Sequence, residues 1–271
     1  MTVFELHRGT SPIILAFPHT GTFVPPEIEA RLSEEGRVLR DTDWHIHRLY
    51  DGLLPGASIV RATFHRYCID ANRDPAGASL YPGQNTTGLV PITNFDGVSI
   101  WREGEEPTEA DIAERLARFH APYHAALRAE IARVREEHGV AVVYDCHSIR
   151  ARVPFLFDGQ LPDLNIGTDG GKTCDPAIER AVLEACVDAT GYSHVLNGRF
   201  RGGWTTRVYG EPARGVNAVQ MELAQISHLA TETPPFALDE VRAARLRPVL
   251  QAVLTRLEAV ALSLALKDRS A

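Results

Sequence analysis

The chain has 271 residues, 44% of them hydrophobic and 23% charged, which suits a single soluble domain over residues 1–271 whose core needs no disulfide staples. Its formal net charge of −7 gives no support to a basic face that would displace counterions from nucleic acid. No basic and apolar leader is visible, and no run approaches the roughly 20 apolar residues of a membrane helix, so the expectation is a cytoplasmic protein with no membrane or nucleic-acid partner. Cys68, Cys146, Cys174 and Cys186 form no C-x-x-C pair and read as reduced thiols. The sequence does not set the oligomeric state.

Ile13–Phe17 is a short apolar run stopped by Pro18, the pattern of a buried strand, and Pro18-His19-Thr20-Gly21 follows it. Ser58–Ile69, rich in β-branched and aromatic residues, predicts a second strand that runs into Asp70-Ala71-Asn72-Arg73-Asp74-Pro75. Leu80–Glu106 has weak periodicity and many Gly, Pro, Asn and Thr residues. It is long for a passive connector and reads as a functional or capping loop.

Thr108, with Asp111 three residues on, predicts a capped helix start. Ile112, Leu116, Phe119, Tyr123, Leu127, Ile131 and Val134 continue that helix, and Pro122 should kink or split it. After Gly139, Val140–Tyr144 predicts a third strand, followed by Asp145-Cys146-His147-Ser148. Leu196–Arg214 resembles the earlier loop and carries the Gly-rich run Arg201-Gly202-Gly203-Trp204. Val216–Leu223 predicts a fourth strand, with Glu222 at its end. Leu238–Lys267 predicts a long helix interrupted by Pro248, with Leu246, Leu250, Leu254, Leu257, Ala261 and Leu264 on one face. Alternating strands and helices favour an α/β fold with a mostly parallel sheet covered on both faces.

Ligands of open parallel sheets bind beyond the carboxyl ends of the strands, so the groups after these strands should converge. Two histidines, several carboxylates and an arginine in one cleft suit a mononuclear zinc hydrolase, which needs three N/O ligands and an open position for water. His19 and His147 are candidate ligands, the third coming from Asp41 or Asp43, and Glu222 is placed to handle protons. No H-E-x-x-H motif occurs. Zinc fits best, with manganese, cobalt or iron as alternatives.

Seven segments, in order along nearly the whole chain, resemble the N-formylglutamate amidohydrolase family. They are Pro18-His19-Thr20-Gly21, Asp41-Thr42-Asp43-Trp44-His45, Ile69-Asp70-Ala71-Asn72-Arg73, Ala78 to Asn85, Asp145-Cys146-His147-Ser148-Ile149-Arg150, Asn197 to Tyr209, and Gln220-Met221-Glu222-Leu223. The resemblance implies a three-layer α/β/α fold with a mostly parallel mixed sheet, like the zinc carboxypeptidases and phosphorylase/hydrolase-like proteins. It implies hydrolysis of N-formyl-L-glutamate to formate and L-glutamate, the last step of one route of histidine degradation. His19 and His147 carry over as zinc ligands and Glu222 as general base. Position 22 is threonine, so the H-x-x-E of the carboxypeptidases is missing, and Asp43 is assigned as third ligand with Asp41 as alternative.

A small-molecule substrate with two carboxylates calls for arginine forks, for which Arg73, Arg201 and Arg207 are candidates, with Arg150 in reserve. Asn72 and Ser148 could add neutral hydrogen bonds, and Gly202 and Gly203 could let backbone approach a small ligand. Asp145 either orients a ligand histidine or caps a strand, His45 could support a ligand, and Asp70 or Asp74 could hold Arg73. His7, His65, His120, His124, His138, His194 and His228 read as structural or surface residues. The alternative activities are deacylation of another N-acylated acidic amino acid, attack by Cys146 or Ser148 as nucleophile, and non-catalytic binding of an acidic metabolite.

Overall fold

The computed structural model of the protein describes residues 2–79 and 83–268. Leu80, Tyr81 and Pro82, at the head of the predicted capping loop, lie outside the described residues. Seven strands form one sheet: β1 (Phe4–His7), β2 (Ile13–Phe17), β3 (Ser58–Ala62), β4 (Ala141–Ile149), β5 (Leu164–Gly167), β6 (His194–Leu196) and β7 (Val216–Ala224). Their spatial order is β1-β3-β2-β4-β7-β5-β6. The β3–β2, β2–β4, β4–β7 and β5–β6 pairs are parallel, and β1–β3 and β5–β7 are antiparallel. The sheet is therefore mixed and mostly parallel, as expected.

β2, β4 and β7 are buried at every position, which is why their sequences read as apolar runs without alternation. One face carries Ile13, Leu15, Val142, Tyr144, Cys146 and Met221 into a core shared with the helices Ile46–Tyr50, Pro176–Val187 and Glu240–Asp268. The other carries Ile14, Ala16, Val60, Val143 and Ala218 against Phe119, Tyr123, Leu127, Ile131 and Val134 of the long helical segment. This is the three-layer α/β/α arrangement.

Two predicted strands are revised. β3 stops at Ala62 instead of Ile69, because the chain turns at His65, whose carbonyl accepts the Cys68 N–H at 2.9 Å. β4 runs on to Ile149 instead of stopping at Tyr144, so His147 lies within a strand and not after it. The expected interruption of the helix at Pro122 takes the form of a wider turn just before the proline. A π-helical turn, Leu116–His120, joins Glu109–Arg115 to Ala121–His138, and the Ala121 N–H reaches back to the Leu116 carbonyl. That wider turn absorbs a proline that cannot donate to an α-helical ladder. The predicted Thr108 and Asp111 capping box is present.

The last helix spans Glu240–Asp268 with Pro248 inside it, uninterrupted. Leu246, Leu250, Leu254 and Leu257 on its inner face are fully buried. Each contributes roughly 1.5–3 kcal/mol. Together they outweigh the ~3 kcal/mol that a mid-helix proline costs. By length and composition alone its Glu240–Leu266 portion, whose most apolar 18-residue window has a mean hydropathy of 1.6, is apolar enough to cross a membrane. Its inner face packs on the sheet, while Leu262 and Leu266 stay exposed.

All four cysteines are unpaired and buried. Burial pushes the thiols of Cys68, Cys174 and Cys186 up to about 12. A thiol with that pKa is thiolate to only on the order of 10⁻⁴ at pH 8. A disulfide reagent at pH 8 should therefore titrate none of the four thiols in the native protein and all four after denaturation. Rapid reaction of even one native thiol would contradict the packing.

Candidate active site

Strand alternation builds the site. Ala141 and Val143 of β4 face the core beneath the long helical segment, so Asp145 and His147 continue the same face toward the carboxyl end. β7 is in register beside it, with Asp145 opposite Gln220 and His147 opposite Glu222. His19 lies just beyond β2, and the chain returns past it at Asp43, whose N–H donates to the His19 carbonyl at 3.0 Å.

Three buried side chains meet there: His19, Asp43 and His147. His19 Nδ1 is 3.2 Å from His147 Nδ1, and Asp43 Oδ2 lies 3.1 Å from His147 Nδ1 and 3.8 Å from His19 Nδ1. The outer edges of both rings face carboxylates. His19 Nε2 is 2.7 Å from Asp70 Oδ1 and His147 Nε2 is 3.0 Å from Asp145 Oδ1. The first is a well-formed hydrogen bond. The second is close in charge but poorly aligned, because Asp145 Oδ1 has no hydrogen-bond partner, and the Asn72 amide also approaches His147 Nε2 at 3.1 Å. Carboxylates at the outer nitrogens favour tautomers that leave Nδ1 lone pairs pointing inward. Two such lone pairs and an Asp43 oxygen, gathered out of water, form a donor set that fits a divalent ion.

Asp41, the alternative third ligand, is elsewhere. Its Oδ2 accepts from the Tyr67 hydroxyl and the Phe95 N–H, each at 2.9 Å, and burial pushes its carboxyl up to about 6. Glu222 lies at the edge of the cluster and is nearly buried. Burial is the main reason its carboxyl is pushed up to about 8; His147 and Arg66 oppose that shift, and Asp43 and Asp145 reinforce it. For His147, burial disfavours the charged ring, but Asp145 and Asp43 overcome this and hold it well above the usual histidine range. For His19, burial and the Arg66 charge prevail over Asp70 and Asp43, and its pKa falls.

One cavity opens onto this group, lined by His19, Asp43, His147, Glu222, Asn72, Ser148 and Arg73. Arg73 is fixed by its own segment, donating to the Thr87 carbonyl at 2.9 Å, the Thr87 hydroxyl and the Asn72 carbonyl. Asp70 Oδ2 stands 3.7 Å from it, while Asp74 caps its own turn by accepting the Ala76 N–H. Arg201 and Arg207 are not part of the lining. Arg207 donates to the Gly202 carbonyl and stands 3.6 Å from Asp169, and Arg201 packs beside Gly170. Arg150 pairs with Asp96 at 2.9 Å. Cys146 points to the opposite core, where burial raises its thiol pKa far up. His45 Nε2 donates to the Phe236 carbonyl at 2.9 Å and does not touch the cluster.

The family model for N-formylglutamate amidohydrolase matches residues 11–228. The chain belongs to the N-formylglutamate amidohydrolase family. It is 46% identical over 257 residues to an N-formylglutamate deformylase of Pseudomonas aeruginosa, covering 93% of this chain and 96% of that one. It is 45% identical to the enzyme of the same name from Pseudomonas putida, covering 94% and 95%. The crystal structure of an N-formylglutamate amidohydrolase from Ralstonia eutropha JMP134 superposes with a TM-score of 0.77 at 25% identity, over 100% of this chain and 99% of that one. Every side chain of the cluster falls inside the stretch matched by the N-formylglutamate amidohydrolase family.

This family member also builds its site from residues that spacing alone did not single out. Arg66, buried, donates to Asp70 Oδ2 at 2.7 Å and stacks over Phe95, and Arg199 lines the far side of the cavity, donating to the Leu156 and Asn85 carbonyls. Gln220 joins the Gly203 N–H to Glu222. Arg66 and Asp70, four residues apart, and Gln220 and Glu222, two apart on one strand, were the available signals.

Gly203 is required for space. A Cβ there would sit 2.2 Å from Asn72 Nδ2, the atom facing His147. Overpacking a filled site costs about 1–3 kcal/mol. Gly203→Ala should lower the melting temperature and cut turnover at least tenfold by pushing Asn72 off His147 and the Thr205 N–H, whereas wild-type activity and melting would show the contact to be soft.

Proposed function

We propose that this chain is a zinc-dependent amidohydrolase that converts N-formyl-L-glutamate and water into formate and L-glutamate, as a single cytoplasmic domain serving histidine degradation. The reading rests on one observation above all. Within a chain of this family, the inner nitrogens of His19 and His147 and the Asp43 carboxylate converge beside Glu222 on a single arginine-bearing cavity. Two imidazoles and one carboxylate are a donor set that suits zinc with a position left open.

His19, Asp43 and His147 are the ligands in this reading, and Asp70 and Asp145 orient the two rings from behind. A zinc ion held there supplies a Lewis acid that eases deprotonation of water and stabilises charge developing on the formyl oxygen. Glu222 takes the proton as the water oxygen bonds to the formyl carbon, then returns it to the nitrogen as the C–N bond breaks. Its raised pKa in the buried site favours a group that both accepts and gives back a proton near neutrality. Arg73 is the fork for a substrate carboxylate, held rigid by Thr87 and Asn72, with Asn72 and Ser148 offering neutral hydrogen bonds.

Formate release from N-formyl-L-glutamate should vanish on chelation and return with added zinc; activity indifferent to chelation would sink the metal assignment. Glu222→Gln should retain zinc and lose about 10²–10⁴-fold in kcat, the usual worth of a general base. Asp43→Ala should fail to hold the metal in a stoichiometry assay, while Asp41→Ala should keep it. The reverse pattern would make Asp41 the ligand.

A further inference from the structure

The contacts around Glu222 point to a role for Gln220. We propose that Gln220 is a positioning residue, a strut between the Gly203 turn and Glu222 that aims one carboxylate oxygen of the base into the cavity. The inference rests on the reading of Glu222 as general base and adds to it the part that sets its direction.

Gln220 and Glu222 are two residues apart on β7, so their side chains leave the same face of the sheet. Gln220 is 3% exposed, and both ends of its amide are used. Its Oε1 accepts the Gly203 N–H at 2.6 Å and its Nε2 donates to Glu222 Oε2 at 3.0 Å. The amide cannot be turned over, because Nε2 would then face the Gly203 N–H, donor against donor. A planar group with one end pinned to backbone gives the other end a fixed direction.

The pinned end is itself immobile. Asn72 fills the space beside the Gly203 Cα and accepts the Thr205 N–H at 2.8 Å, so the turn cannot shift without disturbing Asn72. At the other end, among the described residues Gln220 makes the one hydrogen bond to the Glu222 carboxylate. The remaining oxygen has the cavity to face. Arg66 is the positive side chain that attracts this carboxylate, and a zinc ion held at His147 would add to that pull. Without a fixed donor on Oε2, it would turn toward them and away from the water and the leaving nitrogen. Burial of Oε2 without its donor would also leave an unsatisfied acceptor. Its side-chain hydrogen bonds reach Glu222 on one side and the Gly203 turn beside Asn72 on the other, so the test must separate an effect through Glu222 from one through Asn72.

The test uses the zinc-loaded full chain and two substitutions. Gln220→Met keeps the volume and removes both hydrogen bonds. Gln220→Glu keeps an acceptor for Gly203, removes the amide donor and sets a second carboxylate beside Glu222, and it guards against a variant that fails to fold. Both should carry wild-type zinc and show KM within about twofold of wild type, while kcat falls about 10- to 100-fold, the usual effect of losing an outer support of a reactive group. In a Glu222→Gln background the same substitutions should cost nothing further, because a strut has no effect once its load is removed.

Unchanged kcat in Gln220→Glu, or an equal further loss in the Glu222→Gln background, would overturn the strut while leaving the base in place. Full turnover in Glu222→Gln alone would remove both. A Gln220→Met loss traced to missing zinc, with Gln220→Glu normal, would also overturn it by making the residue purely structural.

Discussion

The arrangement depends on nine consecutive parallel pairs between β4 and β7, from Ala141 opposite Val216 to Ile149 opposite Ala224. This ladder sets His147 beside Glu222 and Asp145 beside Gln220. A slip of one residue in either strand would turn its polar groups into the apolar core on the far face and its apolar residues out. The full burial of both strands makes that slip prohibitively expensive. Fold stability and the relative placement of a ring and a carboxylate are thus specified by the same interaction.

A second constraint is electrostatic. Asp41, Asp43, Asp70, Asp145 and Glu222 are all buried, with Arg66 the one deeply buried arginine beside them. Arg66 pairs with Asp70 and lies 3.9 Å from Asp43. Isolated buried charges are costly, and Asp70 is held well below the usual carboxylate range because Arg66, Arg73 and His19 overcome its burial. Asp70 therefore links the cation network to the back of His19. Asp41 takes hydrogen bonds from Tyr67 and Phe95, and burial raises its carboxyl pKa against the opposing pull of Arg66 and of those bonds.

Much of this was legible because breakers mark the chain where chemistry begins. Pro18 ends β2 one residue before His19, and Gly139 opens the way to β4. His19, His147 and Glu222 could be named from their places at the ends of apolar runs, even though His147 proves to lie inside a strand, whereas Asp43 was separable from Asp41 only through the family resemblance. β1, β5 and β6, of three or four residues, are too short to carry a period. β3 was overread because β-branched and aromatic residues continue through a turn. The arginines were the harder problem. A Gly-rich run suggested Arg201 and Arg207, but which of several neighbours faces a cavity depends on turns that no spacing rule encodes, and Arg199 is the one that does. Gln220 stood in view beside Glu222, but its importance lies in what its amide spans, which its type does not tell.

The π-helical turn at Leu116–His120 has a further consequence. It holds one residue more than an α-helical path would, ends at His120 and precedes His124. Those two rings meet the carbonyls of Arg73 and Ala71, at 3.1 and 2.7 Å, which flank Asn72. Removing a single residue from this turn would restore a regular helix and rotate everything on one side of it by roughly 100° relative to the other. The long helix thus tolerates substitution far better than a change in length, and its spacing acts as a gauge that holds the segment carrying Asn72 at the depth of the histidines.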